Sequence, residues 1–223
     1  MVTYEGVLEA RFLSRHRRFT AAVMLGAEEI TAHVPNTGRC SELLPGARVV
    51  LAKACNPARK TAYSLTAVYK GDMLVNIDSQ APNSLAAGWL AEQYPGAEIR
   101  REVTVGDSRI DFHVSAERLN LYVEVKGCTL EKDELALFPD TPTLRGTKHL
   151  RTLTACAEQG AQALVLFVIQ MQGVRAFTPH DSMDPAFGQA LREAAATGVM
   201  VRAVNCRVAP GTLSICGPVP VLL

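Results

Sequence analysis

The sequence predicts a mixed α/β (α+β) chain in two parts: an OB-like β-barrel over residues 1–82, then an α/β domain with a mixed sheet over residues 83–223. Three observations carry this. Short runs of alternating polarity, separated by turn residues, recur through the first part. The second part interleaves strand patterns with three helical ones. Within it, Ala163-Leu164-Val165-Leu166-Phe167-Val168-Ile169 is apolar without alternation, as in a strand covered on both faces.

In the first part the expected strands are Tyr4–Leu13, Phe19–Leu25, Glu29–Val34, Ala47–Ala54 and Ala62–Tyr69. The interval from Pro35 to Gly46 holds a loop and room for one short helix, closed by Pro45-Gly46. At a hairpin tip, Arg15-His16-Arg17-Arg18 clusters charge, as a phosphate contact needs and as an ordinary solubility device also does. Asn36-Thr37-Gly38-Arg39 reads either as an anion nest carrying an arginine or as a glycine turn leading into a helix.

The second part opens with a helix over Asn83–Tyr94, with Asn83 as N-cap and Leu85, Trp89 and Leu90 on its apolar face. Ile99–Val105 is a strand, and two more follow, Ser108–His113 and Tyr122–Gly127. Past Gly127 the chain reads as polar and irregular to Thr143. A helix then runs to Gln159, with Leu150, Leu153, Thr154 and Ala157 as its stripe. Arg145, Lys148, His149 and Arg151 load its first turns with positive charge against the macrodipole, which suits a held anion such as phosphate. Pairing with Glu131, Asp133, Glu134 or Asp140 is the alternative. Val174–Thr178, a helix opened by Asp184-Pro185, and Val199–Val204 complete the pattern, with little regularity in the tail.

The chemistry concentrates on the two central strands. Side chains two apart share a face, so Arg109, Asp111 and His113 align on one strand, and Tyr122, Glu124 and Lys126 on the other. Pairing these strands is expected to gather Asp111, Glu124 and Lys126. Two adjacent carboxylates repel unless a cation lies between them. Mg²⁺ suits such a site, since it takes one or two carboxylates, a carbonyl and several waters. A lysine beside it can orient the attacking water, which is equipment for phosphodiester hydrolysis. The plain alternative is a cross-strand ion pair contributing ~0.2–1 kcal/mol.

Composition bounds the rest. The 223 residues are 48% apolar, enough for a packed core, and the longest apolar run is too short to span a bilayer. No secretory pattern opens the chain, and the six cysteines (40, 55, 128, 156, 206, 216) show no metal-ligand spacing, so they are expected as reduced thiols in a cytoplasmic protein. Net charge is +1, split as +3 over residues 1–82 and −2 over the remainder. Nucleic-acid binding would therefore rest on local basic patches.

Larger motifs add to this reading: Pro35-Asn36-Thr37-Gly38, Ala81-Pro82-Asn83, Arg101-Glu102-Val103, Gly106-Asp107-Ser108-Arg109-Ile110-Asp111-Phe112, Val123-Glu124-Val125-Lys126-Gly127-Cys128-Thr129-Leu130, and Phe138-Pro139-Asp140-Thr141-Pro142-Thr143 followed by Arg145-Gly146 and Lys148-His149-Leu150. On these the chain resembles the sugar fermentation stimulation protein A family along nearly its whole length. The resemblance implies an OB-like domain joined to a PD-(D/E)XK nuclease-like domain, and an association with DNA (RNA being the alternative). Asp111 and Glu124, with the Val125 carbonyl, would hold Mg²⁺ or Mn²⁺, and Lys126 would position the water. Phosphate contacts are expected from Arg17, Arg18, Asn36, Arg39, Asn83, Arg109, Arg145, Lys148 and His149. Related nucleases often add an acid from the first helix; here that helix offers only Glu92. A non-catalytic DNA-binding regulator of sugar metabolism genes and a small anion or sugar binding module are the other two readings.

Overall fold

The computed structural model describes residues 1–54, 56 and 58–223. Cys55 lies outside the described residues; Cys40, Cys128, Cys156 and Cys206 are buried free thiols, and Cys216 is free and exposed.

After a two-residue strand β1 (Val2–Thr3), the alternating segments close into a barrel. Its strands are β2 (Leu8–Arg17), β3 (Thr20–Leu25), β4 (Glu28–His33), β5 (Arg48–Lys53), β6 (Tyr63–Lys70) and β7 (Met73–Asn76). They follow the order β4-β3-β2-β5-β6-β7, and a parallel contact between His33 of β4 and Ser64 of β6 closes the ring. Ala21, Val23, Val49, Leu51, Leu65 and Val68 point inward and are fully buried, as period-2 patterning requires. Five strands were expected and β7 is a sixth: Gly71-Asp72 turns the chain back along β6. The short helix expected between the third and fourth strands is absent. Residues 34–47 are irregular instead. Arg15 binds the Gly38 carbonyl at 2.7 Å and also that of Asn36, taking the acceptors a helical turn would use.

The remaining elements are α1 (Ala81–Gln93), β8 (Glu98–Val105), β9 (Ser108–Ala116), β10 (Leu119–Cys128), β11 (Leu130–Lys132), β12 (Leu135–Phe138), α2 (Leu144–Glu158), β13 (Gln162–Ile169), β14 (Ala176–Pro179), α3 (Pro185–Ala196), β15 (Met200–Ala209) and β16 (Thr212–Val219). A seven-stranded sheet has the order β1-β16-β15-β13-β10-β9-β8. Its centre, β10-β13-β15, is parallel, and the flanks are antiparallel. The unalternating run forms β13. Leu164, Leu166 and Val168 pack toward α1, while Ala163, Val165, Phe167 and Ile169 pack toward α2 and α3. Both faces are thus covered, as the composition of β13 demands.

Three details differ from the expectation. The cap of α1 is Gln80, not Asn83; Pro82 fits the first turn, and Asn83 lies one residue further inside. Residues 129–143 are not wholly irregular, because β11 and β12 form a hairpin that β14 extends in parallel. The tail holds β16, which pairs with both β15 and β1.

The barrel shares one apolar cluster with the α/β part, Val75 and Ile77 with Ile169 and Met171 among its members, and polar contacts at the end of β13 join it there. The Gln170 side chain donates to Asn76 Oδ1 at 2.8 Å and to the Asp78 carbonyl at 3.0 Å, and Lys70 Nζ pairs with Glu131. A Cβ on Gly127 would meet Gln170 Oε1 at 2.7 Å and Pro82 Cγ at 2.8 Å, so a glycine is required where this seam meets β10.

Buried Asp184 joins two helices. Its Oδ1 caps α3 at the Phe187 amide (3.0 Å), and its Oδ2 accepts the amide of Thr143, the α2 cap, at 2.8 Å. Replacing Asp184 with Ala removes both and is expected to cost about 2 kcal/mol, the upper range for a lost cap. Chemical denaturation checks this, and Asp184→Asn should recover part of the loss.

Candidate active site

The site forms where β9 and β10 part. Their antiparallel ladder ends at Phe112 opposite Val123, whereas β10 stays paired with β13 as far as Cys128 and Ile169. Beyond Val123 the β10 amides on the β9 side have no carbonyl ladder to meet. Asp111 fills in: its Oδ2 accepts the Val125 amide at 2.8 Å, and its Oδ1 accepts Asn83 Nδ2 at 2.9 Å. A side chain takes over from the backbone because an unpaired buried amide is costly. Asn83, expected as a phosphate contact, instead anchors α1 to this carboxylate.

Glu124 projects beside Asp111 and is buried, with its side chain 3% exposed. Oε1 receives Lys126 Nζ at 2.7 Å and is in contact with His149 Nδ1, a strong pairing within a buried cluster. Oε2 is inaccessible and has no hydrogen-bond partner. Arg145 Nε donates to His149 Nε2 at 3.4 Å, so the relay Arg145→His149→Glu124 is met by the Nδ1–H tautomer of His149. The α2 helix aims these groups. Thr143 Oγ1 caps it at the Gly146 amide, and Gly146 has no room for a Cβ against Thr143 (2.8 Å) and Phe187 of α3 (3.2 Å), so a glycine here lets the cap and the neighbouring helix close on the start of α2.

The electrostatics separate the two acids. Burial, reinforced by the charge of Glu124, pushes the Asp111 carboxyl above its ordinary value, against the Val125 amide, Asn83 and Lys126. Burial pushes Glu124 up as well, but there the His149 hydrogen bond and the Lys126 ammonium outweigh it and hold Glu124 below its ordinary value. Glu124 is therefore the standing anion of the pair, and Asp111 the one that gains most from a nearby cation.

Of the other expected contacts, Arg145 and His149 belong to the site, with His149 buried behind Glu124 rather than facing solvent. Lys148 does not join them. It bonds Asp107 at 2.9 Å across the β8–β9 turn. Arg109 pairs with Glu102 at 2.8 Å, both exposed. Asn36 holds its own loop, accepting the Gly38 amide at 2.7 Å and donating to Ile77 O at 2.8 Å, and the Arg39 amide donates to Asp140 Oδ2 at 3.0 Å. Arg17 and Arg18 sit exposed at the β2–β3 hairpin. The structure adds Arg15 and Gln170 as organisers of the seam. Arg15 was visible only as one of a cluster, and Gln170 carries no local signal. Glu92 of α1 is exposed, and among the described residues no three His, Cys, Asp or Glu side chains converge as a metal cage.

Because the folded Glu124 binds its proton more weakly than an unfolded glutamate, its contribution to stability is complete above the ordinary value of 4.5 and is lost as pH falls through its lowered value. Glu124→Gln should therefore cost about 2 kcal/mol at neutral pH, the scale of hydrogen bonds to a charged group. The difference from the native chain should shrink in acid, as denaturation curves at both pH values will show.

Comparison with known proteins accords with this geometry. Residues 13–77 match the profile of the SfsA N-terminal OB domain, and residues 80–212 that of the sugar fermentation stimulation protein RE domain. The sugar fermentation stimulation protein homolog of Clostridium botulinum strain Hall is 46% identical over 226 residues, covering 97% of each chain. That of Clostridium kluyveri is 46% identical over 215 residues, covering 93% of this chain and 94% of the relative. The solved structure of Pyrococcus furiosus SfsA in complex with Ca²⁺ superposes with a TM-score of 0.90 at 27% identity, over 100% of this chain and 98% of that one. With an OB barrel, a mixed α/β second part and relatives matched nearly end to end, this chain belongs to the sugar fermentation stimulation protein A family.

Proposed function

We propose that the chain is a divalent-cation-dependent phosphodiesterase acting on nucleic acid, DNA in the first instance. The observation that carries this is Glu124 Oε2, a buried carboxylate oxygen without a partner, beside a second acid whose proton affinity is raised by the first. An unmatched buried acceptor costs about 1–3 kcal/mol, and more when charged, so the donor set fits a hard cation such as Mg²⁺ or Mn²⁺. Asp111 and Glu124, with the Val125 carbonyl, would hold it, and water would complete the shell. The ion would supply charge for the developing oxyanion and acidify a bound water. That a relative was solved in complex with Ca²⁺, another oxygen-seeking cation, supports the same reading.

The protein's own groups then have distinct tasks. Lys126 Nζ, tethered to Glu124 Oε1, orients the attacking water and shields the charge of the acid. His149 fixes the Glu124 rotamer from behind. Arg145, exposed at the start of α2, meets a phosphate oxygen while its Nε stays on His149. Fixed donors aimed at developing charge are worth most in a partly dry site.

The test is cleavage of plasmid and oligonucleotide DNA by the full chain with Mg²⁺ or Mn²⁺, set against EDTA. Cation-dependent cleavage that falls by about 100-fold or more in Lys126→Ala is expected. Retained DNA binding without cleavage in either metal would overturn the hydrolytic reading and leave a non-catalytic DNA-binding protein.

Cation binding has a readout apart from activity. Saturating Mn²⁺ or Ca²⁺ at about 100 times Kd should stabilise the native chain by about 2.7 kcal/mol, which thermal unfolding reports as a rise of several degrees in Tm. The shift should vanish in Glu124→Gln.

A further inference from the structure

We propose that the β2–β3 hairpin of the barrel carries a stacking platform for an unpaired base of single-stranded nucleic acid, built from Phe19 and His33 and flanked by Arg18. The proposal deepens the reading above by naming the strandedness of the substrate, and it rests on that reading.

Phe19 is the only exposed phenylalanine, tyrosine or tryptophan among the described residues, with 46% of its surface open. It is not a stray surface apolar group. Its ring lies nearly parallel to that of His33, at 22° and 6.2 Å between centroids, and the Arg18 guanidinium stands 5.8 Å from its centre. His33 is held toward its neutral, stackable form by burial and by the charge of Arg59. The two rings, with the Arg18 guanidinium beside one and the charge of Arg59 acting on the other, combine what a single strand needs: a flat apolar face for a base and nearby cations for its phosphates. A duplex reaches such a face only by unstacking a base step, at a cost of about a few kcal/mol, whereas a single strand has bases free to stack.

The platform is also wired to the active site. The Arg15 guanidinium donates to the carbonyl of Arg18 at 2.7 Å, to that of Gly38 at 2.7 Å and to that of Asn36, tying the hairpin tip to the Asn36–Arg39 loop. That loop meets Asp140 through the Arg39 amide, and residues 140–143 lead directly into the cap of α2, which bears Arg145. Between loop and helix lies a cavity of about 200 Å³ with a mixed lining that includes Asn36, Asp140 and Thr143 as well as Leu130, Leu137 and Phe138. The hairpin tip is thus bonded to the loop that lines this cavity and, through Asp140, to the segment that leads into α2. This uses the Asn36 and Asp140 motifs, which the hydrolytic centre does not.

The experiment is fluorescence anisotropy of the full chain in EDTA with labelled oligo(dT), oligo(U) and a matched duplex. Phe19→Ala should weaken single-strand binding about ten-fold, the effect of removing one base–aromatic stack, with little change for the duplex. The dT and U arms decide between DNA and RNA. Phe19→Trp should keep the affinity, and its added fluorescence should be quenched when the strand binds. If the native chain binds and cuts single strands while Phe19→Ala is unaltered, or if the tryptophan variant shows no quenching at saturation, the platform is wrong and the hydrolytic reading stands. If the native chain binds no nucleic acid at all, both fall.

Discussion

The structure depends on one substitution of side chain for backbone. Where β9 leaves β10, the Asp111 carboxylate accepts the Val125 amide that a strand neighbour would otherwise have taken. This lets the sheet open at its edge without an orphaned buried donor, a defect that proteins avoid almost completely. The same bond places Asp111 one step from Glu124 and draws in Asn83, so the first helix is held to the opening. Without this contact the two strands would either zip further, burying the acids against each other, or splay and lose them.

From that opening the remaining architecture follows. Glu124 can stay buried and ionised only because Lys126 and His149 converge on it, and His149 can reach it only because α2 lies close on the sheet. The start of α2 is fixed by Thr143 as cap, by Gly146 leaving room for Thr143 and Phe187, and by Asp184 binding both helix starts. A buried cluster of one acid and two bases is a weak source of net stability, since desolvation offsets much of the attraction. Its arrangement instead leaves one buried carboxylate oxygen, Glu124 Oε2, without a hydrogen-bond partner.

Much of this was legible in the sequence because it is local. The unalternating run at 163–169 marks a strand between two helical layers, and period-2 spacing puts Asp111, Glu124 and Lys126 on a common face. What was not legible depends on contacts distant along the chain. Asn83 reads as a helix cap by type, yet a partner 28 residues away claims its amide. The 34–47 segment has helix-compatible residues, but Arg15 takes its carbonyls from outside. His149 and Lys148 adjoin in a basic run, and only the helical turn sends one inward to Glu124 and the other outward to Asp107. The β11–β12 hairpin has short strands and gains its ordering from β14, some 40 residues later.

The barrel's place in this scheme can be argued from where it touches. It does not merely adjoin the α/β part: Gln170 crosses to Asn76 and Asp78 at the end of β13, against a glycine that follows Lys126 directly. Moving the barrel would therefore displace Gly127 and tilt the lysine next to it. Directional bonds added to the apolar cluster that the two parts share fix orientation as well as proximity. The fold thus holds the basic hairpin and the acidic centre in a set relation, and the two parts differ in net charge in the same sense, positive in the first and negative in the second.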